Sequence, residues 1–212
     1  MKKKLIATLL LFLVCLSGYS QISWNAKAGV NISNIINFGD VNFKPGYQFG
    51  VGMDYYFNDH WGIQPSIMLI TKGYKSKGDN FNSFYSAQYI NQELMLYEIT
   101  DNKVYVELPL LLTYRFNVSE KLKLIFSGGG YIAYGITGKF KNTNTLLDGS
   151  KRKDKVDSFS AGVEKFDTGL AAGAALEYND KYSIGLSSDF GLRTIDGRDK
   201  NRTYGLTFGY RF

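Results

Sequence analysis

Ten ionisable side chains stand on one parity of segments that alternate apolar and polar residues: Lys27, Asp54, Glu107, Arg115, Lys123, Asp167, Glu177, Asp189, Arg193 and Arg211, five acids against five bases. Charges taken out of water are costly unless paired, so an even balance on one face predicts a mutually salt-bridged network. The same residues could instead line a narrow path for ions or protons. Catalysis needs a nucleophile, a base and an orienting group within reach of one another. Asp189 shares its parity with Ser187 while Ser188 points the other way, and the lone His60 stands in the turn Asn58-Asp59-His60. No catalytic residue is assigned, and a non-enzymatic protein is expected.

Metal and cofactor chemistry find little to work with. The one cysteine, Cys15, lies in an N-terminal leader, and Asp148, Asp196 and Asp199 lack the spacing of a calcium loop. Gly128-Gly129-Gly130 is followed by neither Gly-Lys-Ser/Thr nor a helix start, so it reads as a backbone bend or bulge rather than a phosphate loop. No metal and no cofactor are predicted. Lys139, Lys141, Lys151, Arg152, Lys153 and Lys155 make the segment from about Lys139 to Gly162 basic. Such a loop attracts the phosphates of lipopolysaccharide, although a charge run can equally be a solvated surface. Another long connection carries Phe81, Phe84, Tyr85, Tyr89 and Leu94-Met95-Leu96-Tyr97, either strand extensions or a partner surface. The formal charge of +6 includes Lys2, Lys3 and Lys4, and without them 22 cations face 19 anions, so no nucleic-acid partner is expected.

These side chains need strands to position them. In the last ten residues Tyr204, Leu206, Phe208, Tyr210 and Phe212 alternate with Thr203, Gly205, Thr207, Gly209 and Arg211, a strand with one apolar face. Similar alternation runs from Ile22 to Val30, Tyr47 to Phe57, Trp61 to Ile70, Val104 to Phe116, Leu122 to Ile136, Phe166 to Tyr178 and Tyr182 to Leu192. Eight strands result, joined alternately by short turns and long loops. Apolar residues outward, small and charged ones inward, is the pattern of a strand lying in a bilayer. The expected fold is all-β: an eight-stranded antiparallel up-and-down transmembrane β-barrel over residues 21–212, with both termini at the short-turn, periplasmic side. An interior of that size is filled by side chains. Pro109, which cannot donate to a ladder, predicts a local bulge or an N–H-free position facing a distortion of the ladder.

Residues 1–20 read as a signal peptide, with Lys2 to Lys4 followed by the uncharged run from Leu5 to Leu16 and by Gly18 and Ser20 ahead of the cut. The expected location is the outer membrane of a Gram-negative bacterium. A soluble lipocalin-type barrel would reverse the two faces.

Tyr105-Val-Glu-Leu-Pro-Leu-Leu-Leu-Thr-Tyr114 resembles a strand of the PorT-like outer-membrane β-barrel family. Gly128-Gly-Gly-Tyr-Ile-Ala-Tyr-Gly-Ile-Thr-Gly-Lys139, Asp167-Thr-Gly-Leu-Ala-Ala-Gly173 and Gly205-Leu-Thr-Phe-Gly-Tyr-Arg-Phe212 resemble it as well. The resemblance implies a small barrel whose partners are outer-membrane lipid and lipopolysaccharide, with an accessory place beside a protein secretion complex. The aromatic end at Phe212 resembles the signal read by the barrel-assembly machinery. An envelope-structural or loop-mediated binding role is expected; a narrow channel and a lipid-modifying barrel enzyme are the alternatives.

Overall fold

The computed structural model describes residues 22–36, 41–79, 94–146, 148–160, 163–194 and 199–212. The expected signal peptide, the aromatics Phe81, Phe84, Tyr85 and Tyr89, and Asp196 fall outside the described residues. Ten strands are present: β1 (Ile22–Ile36), β2 (Val41–Asn42), β3 (Lys44–Tyr56), β4 (Trp61–Asp79), β5 (Leu94–Asn117), β6 (Leu122–Leu146), β7 (Lys151–Asp157), β8 (Phe166–Tyr178), β9 (Tyr182–Gly191) and β10 (Lys200–Arg211). Eight of them form a closed antiparallel ring, β1-β3-β4-β5-β6-β8-β9-β10. The closing strand pairs with the first from Asn25↔Arg211 to Ile36↔Lys200, which removes both sheet edges.

Alternation sorts the side chains as expected for a barrel in lipid. Phe49, Leu110, Leu186 and Phe208 are about half exposed on the outside. Asn25, Gln48, Asp54, Thr113 and Glu177 are buried inside. Two aromatic bands frame the apolar belt. Near the short turns, Trp61 meets Tyr114 at 4.9 Å and Tyr182 meets Tyr210 at 5.5 Å. Toward the long loops, Tyr204 meets Phe43 at 5.9 Å and Phe190 at 6.2 Å. Amphipathic rings at both interfaces are a mark of outer-membrane barrels.

The long connections contain more strand than alternation predicted. β5 has 24 residues and β6 has 25, against the roughly 9–11 that cross a bilayer. Their outer parts pair with each other from Leu94↔Leu146 inward, and the basic segment taken as a loop is the last part of β6 together with β7. These extensions stand in water, where no lipid selects an apolar face, so their sequence carries no clean period of two.

Of the two outcomes expected at Pro109, the bulge is absent and the position facing an interrupted ladder is present. The β4–β5 register continues unshifted from Pro65↔Leu110 to Met68↔Glu107, and Ser66, Ile67, Leu108 and Pro109 between them are simply unpaired across that seam. Pro109 keeps its place opposite Tyr131 on the other side. The β3–β4 ladder likewise passes from Gly52↔Ser66 to Tyr55↔Ile63 without pairing Pro65. Each proline thus has a neighbouring seam with missing rungs, where its lack of an N–H costs nothing. Gly128-Gly129-Gly130 also runs through in register, opposite Leu110 to Leu112 and Ala172 to Leu170. The shift in β6 comes later, between Val104↔Thr137 and Tyr105↔Gly135.

Candidate functional site

Interior charges gather in two layers. Near the short turns, the Arg211 guanidinium donates to Asp54 at 2.9 and 3.0 Å and lies 2.6 Å from Glu177. Arg115 is 3.5 Å from the other Glu177 oxygen and stacks 3.7 Å over the Tyr56 ring. Asn25 donates to Asp54 at 3.0 Å, Gln64 donates to its second oxygen, and Lys27 donates to Gln64 at 2.5 Å. Five charged groups from β1, β3, β5, β8 and β10 therefore share one network, with Asp54 and Glu177 each answered by arginine. Lys123 pairs instead with Asp180 in the turn after β8.

The second layer is built around a residue that the alternation did not single out. Lys72 is fully buried and lies 2.7 Å from Glu107 and 3.2 Å from Asp167. Its ammonium sits 4.2 Å from the centre of the Tyr131 ring and 5.5 Å from that of Tyr105. Asp167 also accepts from Tyr131 at 3.2 Å and Asn201 at 2.9 Å. Tyr105, Tyr131, Ile70, Ala133 and Ala171 form the buried apolar cluster around this ammonium, with Phe159 and Leu111 packed against it. Aromatic faces and carboxylates together offset the desolvation of one lysine.

Above it the segment after β7 folds into the mouth. Phe159 stands edge-on to Tyr105 at 5.8 Å, and Ser158 donates to Asp101 at 2.6 Å. Asp101 in turn accepts from Lys103 at 2.5 Å. The Phe159 ring occupies the space beside Gly135, where an added Cβ would lie 2.1 Å from it. The lumen is blocked in this outer half by packed side chains.

Below Lys72 it is not filled. A cavity of about 130 Å³ reaches from Asp189 and Glu107 to Lys181 and Arg211, because β8 and β9 present Gly, Ala and Ser there.

Of the ten residues taken as inward, Arg193 is elsewhere. β9 ends at Gly191, so the parity does not carry to Arg193, whose side chain is 43% exposed and 2.7 Å from Glu164 outside. Asp189 and Ser187 line the cavity, while His60 stays in the exposed turn, its Nδ1 3.0 Å from the Arg115 carbonyl. No group of three or more potential metal-ligating side chains occurs among the described residues.

The basic segment resolves into a ribbon. β6 and β7 pair Lys139↔Asp157, Lys141↔Lys155, Thr143↔Lys153 and Thr145↔Lys151. Directly opposed residues share a face, so Lys139, Lys141, Lys151, Lys153 and Lys155 stand together on one side, all exposed. Phe140 and Val156, on the other parity, line a cavity at the mouth, so the lysine face is turned away from the lumen. Arg152 lies on the parity opposite to the lysines and pairs with Asp154 at 3.5 Å, so it does not belong with them. Among the described residues none of the five lysines has an acidic partner within ion-pair distance.

Several solved structures are similar to this chain. The attachment invasion locus protein Ail of Yersinia pestis is 21% identical, the match covering 90% of this chain and 98% of that one at a TM-score of 0.45. Neisserial surface protein A is 12% identical, covering 91% and 96% at 0.46. The outer-membrane enzyme PagL is 10% identical, covering 86% and 97% at 0.39. Among curated proteins no sequence matches. The family described as outer membrane protein beta-barrel domain matches residues 17–197, and this chain belongs to that family.

Proposed function

We propose that this outer-membrane barrel is a non-enzymatic, non-conducting protein that works from its outer surface, its β6–β7 lysine face holding phosphate-bearing saccharide of the surrounding lipopolysaccharide. The observation that carries this reading is Lys141 directly opposite Lys155, flanked by Lys139, Lys151 and Lys153. Like charges facing each other across a ladder are destabilising. Five ammonium groups share this face with one carboxylate, that of Asp157 opposite Lys139, and none is within ion-pair distance of an acid, so they are a cost to the isolated chain that an anionic surface would offset, at about 1 kcal/mol per lysine near such a surface. The face lies just beyond the outer aromatic band, at the depth of the phosphorylated headgroups.

Replacing Lys139, Lys141, Lys151, Lys153 and Lys155 together by Gln leaves the barrel and its interior untouched. Lipopolysaccharide affinity should fall by more than about tenfold at low salt. Unchanged affinity would contradict the reading.

The likeness of Glu107-Leu-Pro-Leu-Leu-Leu112 and of the closing strand to PorT-like barrels supports a place beside a secretion complex. Crosslinking in cells should then capture a secretion subunit, and a barrel recovered alone speaks against it. The same aromatic end at Phe212 supports recognition by the barrel-assembly machinery during insertion, with removal of Phe212 expected to slow assembly.

A further inference from the structure

At the outer end of the lumen cavity, Glu107 and Asp167 hold the Lys72 ammonium, and Asp189 lines the cavity beside Glu107 without touching that ammonium. Lys72 lies 2.7 Å from Glu107 and 3.2 Å from Asp167, and Asp167 has further donors in Tyr131 and Asn201. Asp189 has none of this. It is 7% exposed, borders the cavity, and has no ion pair or hydrogen bond among the described residues. Asp189 is thus the carboxylate of this layer left without a partner, and it faces empty space.

We infer that the cavity is a binding pocket, entered from the periplasmic side, for a short primary alkylammonium whose nitrogen is held by Asp189. Three features define this class of ligand, independently of the outer lysine face. The outer end is closed by Lys72, Tyr105 and Tyr131, whereas Lys181 and Arg211 place the other end at the short turns. The walls differ in character. β4, β5 and β6 contribute Met68, Leu111 and Ile125 beside the polar Gln64, Ser66, Glu107 and Ser127, while β9 and β3 contribute Asp189, Ser187 and Gln48. No group of three acidic, His or Cys side chains able to hold a metal is present among the described residues, whereas an alkyl chain fits against Met68, Leu111 and Ile125 while its ammonium meets the carboxylate. The cavity, at about 130 Å³, is close to the size that takes a benzene-sized molecule, about six heavy atoms.

Full-length barrel in detergent micelles, methyl-labelled at Met and Ile, should show saturable shifts of Met68 and Ile70 with n-butylammonium chloride and none with sodium butyrate. Asp189→Asn should weaken the response about tenfold or more, the scale of one charge-assisted hydrogen bond. Met68→Trp, which fills the pocket from the opposite wall, should abolish the Ile70 shift. No saturable response in the wild type, an equal response to butyrate, or binding that persists in Met68→Trp would each overturn the assignment. So would an unweakened Asp189→Asn barrel. Heat-modifiable gel mobility reports folding of each variant, and the butyrate and Met68→Trp arms remain decisive where Asp189→Asn does not fold.

Discussion

Lys72 concentrates more of the interior energetics than any other side chain described above, since two carboxylates and two aromatic rings converge on its ammonium. Removing one partner of a buried pair leaves uncompensated charge, so Lys72→Met should cost about 3–5 kcal/mol. Urea unfolding from lipid vesicles, followed by tryptophan fluorescence, measures this, and an unchanged midpoint would show that Glu107 and Asp167 do not depend on the lysine. At the short-turn rim, partial burial works to raise the Asp180 carboxyl, but the hydrogen bond and charge of Lys123 outweigh it and hold the group below its ordinary value of 3.8. A depressed folded value means that the pair stabilises above the ordinary carboxylate range and that this contribution is lost as pH falls through the folded value. The Asp180 side chain is 55% exposed, so solvent screens the pair and Asp180→Asn should flatten the acid limb of stability below about pH 4 by less than about 1 kcal/mol. Stability followed from pH 6 downward in wild type and variant compares the two. Asp54, Glu107, Asp167 and Glu177 could be read as interior from alternation alone, because each stands in a strand whose opposite face meets lipid. Lys72 could not. It follows Ile70 where the lipid-selected pattern stops, and only the continued β4–β5 pairing of Lys72 with Lys103 turns it inward. Arg193 failed in the opposite way, its parity extended past the end of its strand.

At the scale of elements, the seal over the outer mouth rests on a fit between β6 and the segment after β7. Phe159 lies where a side chain at position 135 would be, so Gly135→Val and Phe159 cannot both keep their places. The variant should eject the ring and expose the segment to chymotrypsin, with cleavage after Phe159 rising at least about tenfold for a local opening made easier by roughly 1.4 kcal/mol. Equal cleavage rates would mean that the segment is held by Ser158 and Asp101 instead. The eight membrane strands were legible because lipid imposes a period of two on them. The ribbon of β6 and β7 was not, since residues such as Lys151-Arg-Lys-Asp-Lys155 have solvent on both faces and nothing in their order distinguishes a strand from a loop. Their partition onto two faces emerges only from the register that sets Lys141 against Lys155.

For the whole molecule, a lumen blocked by Lys72, Tyr105, Tyr131 and Phe159 above a blind cavity predicts that the barrel does not conduct. Single insertions into planar bilayers should give no open-channel steps, and reproducible steps in the wild type would show that the outer seal opens. The lipopolysaccharide-binding role proposed above is carried by the exterior, where the lysine face stands beyond the outer aromatic band. The most direct measurement compares wild-type binding to lipopolysaccharide with binding to the same glycolipid after enzymatic removal of its phosphates, across a salt series. Tight binding that weakens steeply with salt, and is largely lost on dephosphorylation, is the predicted result. Equal affinity for both glycolipids, independent of salt, would contradict a phosphate-holding role for Lys139, Lys141, Lys151, Lys153 and Lys155.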